Sequence, residues 1–160
     1  MITHRSILSD IDHILDVPKS EWHSSLTGIC NLLQESVSYY NWVGFYFANY
    51  TRRSLHLKAF SGLPTEHVEI PFGKGICGQV ALSNQNFVVP DVQHQDNYIA
   101  CDLDVKSELV VPLFVNGKNV GQIDIDSNTI NPFTKQDEKL LAAVNSKVAE
   151  FIPKTLYILS

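Results

Sequence analysis

Residues 108–127 constrain the fold more than any other stretch of this 160-residue chain. Two strand-like runs, Glu108 to Val115 and Asn119 to Ser127, flank Asn116-Gly117-Lys118. Asn-Gly between alternating apolar runs is a strong hairpin signal, because the favoured tight turns need positive φ at their centre. Alternation then assigns faces. Leu109, Val111 and Leu113 share one face with Ile123 and Ile125, whereas Glu108, Val110, Gln122, Asp124 and Asp126 lie opposite. A third run, Asn41 to Phe47, follows the same rule, with Val43, Phe45 and Phe47 on the apolar face and Trp42, Gly44 and Tyr46 behind.

Helical periodicity brackets these strands. Ile7, Ile11, Ile14 and Leu15 predict a helix over 5–16, and Pro18 interrupts it. Leu26, Ile29, Leu32, Leu33 and Val37 predict a second, capped by Ser20 and running to about Ser38. Leu140, Leu141, Val144 and Val148 predict the last over 135–151, with Thr134 and Asp137 as a capping box and Pro153 beyond its end. Further strands are expected at Ser54–Phe60, around Val68–Ile70 and at Phe87–Val89, and a short helix from Gly75 through Ala81. The expected organisation is one domain over 1–160: a helical part over 5–38, sheet and pocket over 41–127, and a C-terminal helix over 135–151. This is an α+β class, a central, largely antiparallel five- or six-stranded sheet with the terminal helices on one face. The long 62–106 segment must cover the other face, leaving a pocket between.

The pocket face presents the aromatics Trp42 and Tyr46 with the carboxyls of Glu108, Asp124 and Asp126. Enclosed carboxylates need a cation or a proton to balance them, and aromatic rings beside them suit a small molecule with an ammonium and an apolar end. Taken singly, each has a plainer reading: Asp126-Ser127-Asn128 as a strand-ending turn, Trp42 and Tyr46 as core, Glu108 as a partner of Lys106.

Three cysteines form no even disulfide set. Cys30 falls on the apolar stripe of the second helix and reads as inert core. Cys77, in Gly73-Lys74-Gly75-Ile76-Cys77-Gly78, falls in the first turn of a helix. The positive dipole end and Lys74 there favour a thiolate, the alternative being a small residue that fills a tight helix start. Cys101 follows a turn-rich segment from Pro90 and precedes the strand that opens with Glu108, a loop position suited to chemistry. Spacing leaves open whether Cys77 and Cys101 meet. No Cys or His pair has zinc spacing, so no metal is expected, and the glycine pattern lacks the ending of a phosphate loop.

A net charge of −5, with 12 Lys and Arg against 17 Asp and Glu, argues against nucleic acid. No apolar run approaches a membrane span and no signal-peptide core is present, so the expected site is the cytoplasm, with no membrane partner.

Asn41-Trp42-Val43-Gly44-Phe45-Tyr46, Gly73-Lys74-Gly75-Ile76-Cys77-Gly78, Val89-Pro90-Asp91-Val92, Ile99-Ala100-Cys101-Asp102, Lys106-Ser107-Glu108-Leu109-Val110-Val111-Pro112-Leu113 and Gly121-Gln122-Ile123-Asp124-Ile125-Asp126-Ser127 together resemble the free methionine-(R)-sulfoxide reductases, single GAF domains. The resemblance spans roughly residues 20–150. It implies a GAF-like fold and reduction of free L-methionine-(R)-sulfoxide. Cys101 matches the cysteine that attacks the sulfoxide, leaving methionine and a sulfenic acid. A second cysteine then forms a disulfide, which thioredoxin reduces with NADPH behind it. Cys77 matches one of the family's other cysteines. Glu108, Asp124 and Asp126 match the acids that hold the ammonium and assist protonation of the sulfoxide oxygen, and Trp42 and Tyr46 match the wall that seats the methyl group. No bound cofactor and a homodimer are implied.

The chain departs from the pattern at three places. His67 stands where a resolving cysteine is usual, so that either turnover with thioredoxin is slow or Cys77 does the resolving. Phe60-Ser61-Gly62 lacks a usual Gln before the glycine, and Gln122 is more polar than usual. The runner-up reading is a non-catalytic GAF module that binds an amino-acid-like ligand or senses redox state through its thiols. A cyclic nucleotide fits less well, since the acidic face repels phosphate.

Overall fold

The computed structural model describes residues 2–98 and 104–159. Six strands form one sheet: β1 Trp42–Asn49, β2 Ser54–Ser61, β3 Glu69–Pro71, β4 Phe87–Val89, β5 Ser107–Val115 and β6 Lys118–Ser127. Their spatial order is β3-β2-β1-β6-β5-β4, and every pairing is antiparallel. The hairpin turn is tighter than expected. Lys118 pairs with Val115 inside the ladder, so Asn116 (φ 51°) and Gly117 (φ 78°) alone make a two-residue turn whose positive φ values match the twist of the strands.

Among the described residues four α-helices accompany the sheet: α1 His4–Ile14, α2 Trp22–Ser36, α3 Gly75–Ser83 and α4 Lys135–Phe151. Ser20 does not cap α2. Pro18, already extended, opens a 3₁₀ turn over Lys19–Glu21, and the Glu21 and Trp22 amides donate to the Pro18 and Lys19 carbonyls. The donors that a cap would satisfy are used within that turn. Thr134 caps α4 as expected, and the Asp137 carboxylate accepts from the Thr134 amide at 2.8 Å. Asp137 also takes the hydroxyls of Tyr39 at 2.8 Å and Tyr40 at 2.6 Å, fastening the α2–β1 connection to the start of α4.

The alternation of the strands decides the packing. Val43, Phe45, Phe47, Leu109, Val111, Ile123 and Ile125 join Ile7, Leu26, Leu33, Leu140 and Val144 in one apolar cluster, where α1, α2 and α4 cover the sheet. Cys30 is fully buried there, as core. Trp42, Tyr46 and Val110 face the other way and pack with Ile70, Ile76, Cys77 and Val80 under α3. Among the described residues no helix is long and apolar enough to cross a membrane.

Candidate functional site

The site is built on the three central strands. In the β1–β6 ladder Trp42 lies opposite Asp126, Gly44 opposite Asp124 and Tyr46 opposite Gln122. In the β5–β6 ladder Glu108 lies opposite Asp126 and Val110 opposite Asp124. Residues of one register rung project to one face, so Trp42, Tyr46, Glu108, Asp124 and Asp126 share the face beneath α3, all buried. Gly44 makes room for the largest of them: a Cβ at that position would collide with the six-membered ring of Trp42. The indole is further fixed by stacking on Phe60 (centroids 5.9 Å apart, planes at 14°) and by donating Nε1–H to the Leu63 carbonyl at 2.9 Å.

α3 brings the thiol. Cys77 Sγ lies 3.9 Å from Glu108 Oε2, and Cys77, Glu108 and Asp124 each offer an atom to one group whose members lie within 4.8 Å of one another. These three residues line a cavity of about 10 Å³ with Tyr46, His67 and Lys74. Trp42 and Asp126 line a larger cleft of about 300 Å³ with Asn41, Leu63 and Val105. The ring of Trp42, which lines the cleft, lies 6.4 Å from that of Tyr46, which lines the cavity. His67 gives its backbone carbonyl to the Tyr46 hydroxyl at 2.8 Å.

The electrostatics correct one expectation. Cys77 is in the first turn of α3, but it is not held as a thiolate. Burial raises its pKa well above that of an ordinary thiol, and the charges of Asp124, Glu108 and Asp126 raise it further. The helix dipole acts over one turn at partial charge, whereas desolvation and adjacent full charges act directly. Asp124 is lifted above the usual carboxylate range by burial, against hydrogen bonds with Glu108 and Cys77 that pull the other way. Asp124 Oδ1 has no hydrogen-bond partner among the described residues. The arrangement therefore keeps the Cys77 thiol protonated and favours the protonated form of Asp124, next to a wall of aromatic rings. It can donate a proton to an oxygen atom and hold a cationic head group.

Of the seven residues singled out from sequence, six come together on this face. The seventh, Cys101, lies outside the described residues. Two residues that hold the site were not identified from sequence as functional. Gln122, fully buried, donates Nε2–H to the Cys77 carbonyl at 3.1 Å and so ties the first turn of α3 to β6; its signal was a polar residue in line with the pocket-facing acids. Asn97 accepts from the Gly75 amide at 3.1 Å and donates to the Gly73 carbonyl at 2.8 Å, fastening the segment that precedes Cys101 to the start of α3. Its φ of 54° is one that asparagine tolerates well, and asparagine is a preferred helix cap.

A central antiparallel sheet, with helices on one face and an enclosed pocket under a short helix on the other, is the architecture of a GAF domain, and the GAF domain family matches residues 22–152. The chain is 42% identical over 125 residues to Protein YtsP of Bacillus subtilis, covering 78% of this chain and 74% of that protein. It is 35% identical over 134 residues to the free methionine-R-sulfoxide reductase of Escherichia coli, covering 84% and 79%. The solved structure of free methionine-R-sulfoxide reductase from Neisseria meningitidis, in complex with its substrate, superposes with a TM-score of 0.85 at 31% identity, covering 92% of this chain and 86% of that one. Within the GAF class, the chain belongs to the free methionine-R-sulfoxide reductase family of oxidoreductases.

Proposed function

We propose that this chain reduces free L-methionine-(R)-sulfoxide to methionine on the pocket face of its sheet, through a sulfenic acid and a disulfide that thioredoxin reduces. The observation that carries the reading is the convergence of a thiol and two carboxyls, Cys77, Glu108 and Asp124, within 4.8 Å beside an aromatic wall, in a chain of this family. The sulfoxide is neutral and its oxygen is a poor leaving group until protonated. Asp124, whose carboxyl is lifted by burial, is suited to supply that proton. Asp126 and Glu108 supply negative charge for the substrate's ammonium. Trp42 and Tyr46 offer the methyl group an apolar surface and the ammonium a π face.

The chemistry balances without a bound cofactor. Cys101 attacks the sulfoxide sulfur, two electrons pass to that sulfur, and the oxygen leaves on cysteine as a sulfenic acid with methionine released. The Cys77 thiol then attacks the sulfenic sulfur, forming an S–S bond and expelling water, with Glu108, 3.9 Å from Cys77 Sγ, to take the thiol proton. Thioredoxin's two thiols reduce the disulfide and NADPH restores thioredoxin. A cytoplasmic setting and a homodimer belong to the same proposal. A thiol-sensing GAF module is the second reading, favoured by His67 at the position that matches a resolving cysteine.

The test is consumption of free L-methionine-(R)-sulfoxide by purified protein, with dithiothreitol and separately with thioredoxin, thioredoxin reductase and NADPH. Turnover with both is expected, and Cys101→Ser is expected to abolish it. Absence of turnover with either reductant in folded, reduced protein overturns the enzyme reading and leaves the sensor.

A further inference from the structure

We propose that Cys77, Glu108 and Asp124 form a binding site for one soft divalent cation, Zn²⁺ foremost, which masks the Cys77 thiol. The three residues come from three rigid elements, α3, β5 and β6, so no spacing motif in the sequence announces them. Their ligand atoms lie within 4.8 Å of one another, and the Cys77 Sγ to Glu108 Oε2 distance is 3.9 Å. A thiolate and a carboxylate on one tetrahedral zinc stand about 3.5 Å apart, so closure onto an ion needs side-chain shifts of about 1 Å or less. The second, independent observation is at Asp124. Its carboxyl is 1% exposed, it lines the cavity that the three residues share, and its Oδ1 has no hydrogen-bond partner among the described residues. A buried carboxyl oxygen without a donor is costly, and a cation is the partner that answers it directly.

The donor set selects the ion. Thiolate excludes Mg²⁺ and Ca²⁺, which take six or more oxygen ligands, and favours Zn²⁺ or Cd²⁺. Three protein ligands leave a fourth position toward the cavity, whose volume of about 10 Å³ matches a single water. On binding, the S–H bond of Cys77 is exchanged for an S–metal bond, the carboxyls bind as carboxylates, and every displaced proton, that of Asp124 included, passes to solvent. The three ligand charges then face a dication instead of one another. No redox change occurs. The ion makes the thiol unavailable to a sulfenic acid, so on the reductase reading it holds the enzyme inactive and reversibly so.

The experiment is a titration of fully reduced protein with Zn²⁺ by calorimetry in two buffers of different ionisation enthalpy, and with Cd²⁺ by the ultraviolet charge-transfer band of a Cd–thiolate. One ion per chain with proton release is expected. Cys77→Ser is expected to weaken binding by more than roughly 100-fold, beyond what loss of an outer-shell partner costs, and to remove the band. Cys101→Ser should leave both intact. Glu108→Gln, checked for fold by circular dichroism, should weaken binding while keeping the Cd–thiolate band at saturation. Mg²⁺ should not compete. No binding at millimolar Zn²⁺, or binding that survives Cys77→Ser, or binding lost in Cys101→Ser, overturns the site. These readouts need no turnover, so failure of the reductase reading would not be mistaken for failure of this one. If both hold, Zn²⁺ suppresses formation of the Cys77–Cys101 disulfide after a single turnover, and with it recycling by thioredoxin, and a chelator restores both.

Discussion

Asp124 sits in the ladder between Gly44 and Val110, buried under α3, and its carboxyl is lifted above the ordinary value of 3.8 chiefly by that burial. A raised folded pKa has a definite sign. Below 3.8 both folded and unfolded chains hold the proton and the site costs nothing. As pH rises the unfolded chain ionises first, and stability falls through the window between 3.8 and the raised folded value, then stays lower. Asp124→Asn removes this penalty. Its melting temperature is expected to exceed that of the parent at pH 8, with the difference shrinking toward pH 4, while kcat/KM for free methionine-(R)-sulfoxide drops by about 10² or more, the range of a lost general acid. A lower melting temperature at pH 8 would count against the buried-acid role. In the parent protein, kcat/KM should decline as pH rises through that same carboxyl's pKa. Alternation in three strands was enough to place Trp42, Tyr46, Glu108, Asp124 and Asp126 on one face. The protonation state of Cys77 was not legible, because the dipole argument is local to α3 whereas the charges that oppose it come from β5 and β6.

Elements show the same division between local and distant signals. The Thr134 box was legible from four residues. The tyrosine pair that completes it was not, because Tyr39 and Tyr40 arrive from the far end of the chain. Asp137→Ala is expected to lower stability by about 3 kcal/mol, combining a lost cap with two hydroxyls left without their charged acceptor. Denaturant melts measure this, and a loss under about 1 kcal/mol would mean that water replaces the carboxylate at both hydroxyls. Ser20 failed as a cap for a nearby reason, the 3₁₀ turn set by Pro18. At α3, Asn97 is exposed and its side chain bonds to backbone groups at the helix start. Asn97→Ala should therefore keep the melting temperature within about 2 °C. It should lower kcat/KM about tenfold, because small displacements of a positioned group are costly to rate. Unchanged kinetics would separate this tether from the chemistry.

At the scale of the molecule, two apolar clusters lie on opposite faces of one antiparallel sheet, with Cys77 and the carboxyls of Glu108, Asp124 and Asp126 on the face under α3. The class, the hairpin and the division into a helix-covered face and a pocket face were legible, since period two and period 3.6 assign faces without any knowledge of neighbours. The strand order was not, because the β1–β6 pairing that sets Trp42 opposite Asp126 joins segments far apart in the chain, and alternation is silent about which strand lies next to which. That non-local pairing is what turns a list of acids and aromatics into a site. The central claim is that this site passes oxygen from substrate to one cysteine and closes the cycle with Cys77. The most direct measurement is to mix reduced protein, with no other reductant, with one equivalent of free L-methionine-(R)-sulfoxide, then to quantify methionine and map the cysteines by mass spectrometry. The account predicts one methionine per chain, a Cys77–Cys101 disulfide and an unmodified Cys30. Intact thiols with no methionine formed, or a disulfide that includes Cys30, would contradict it.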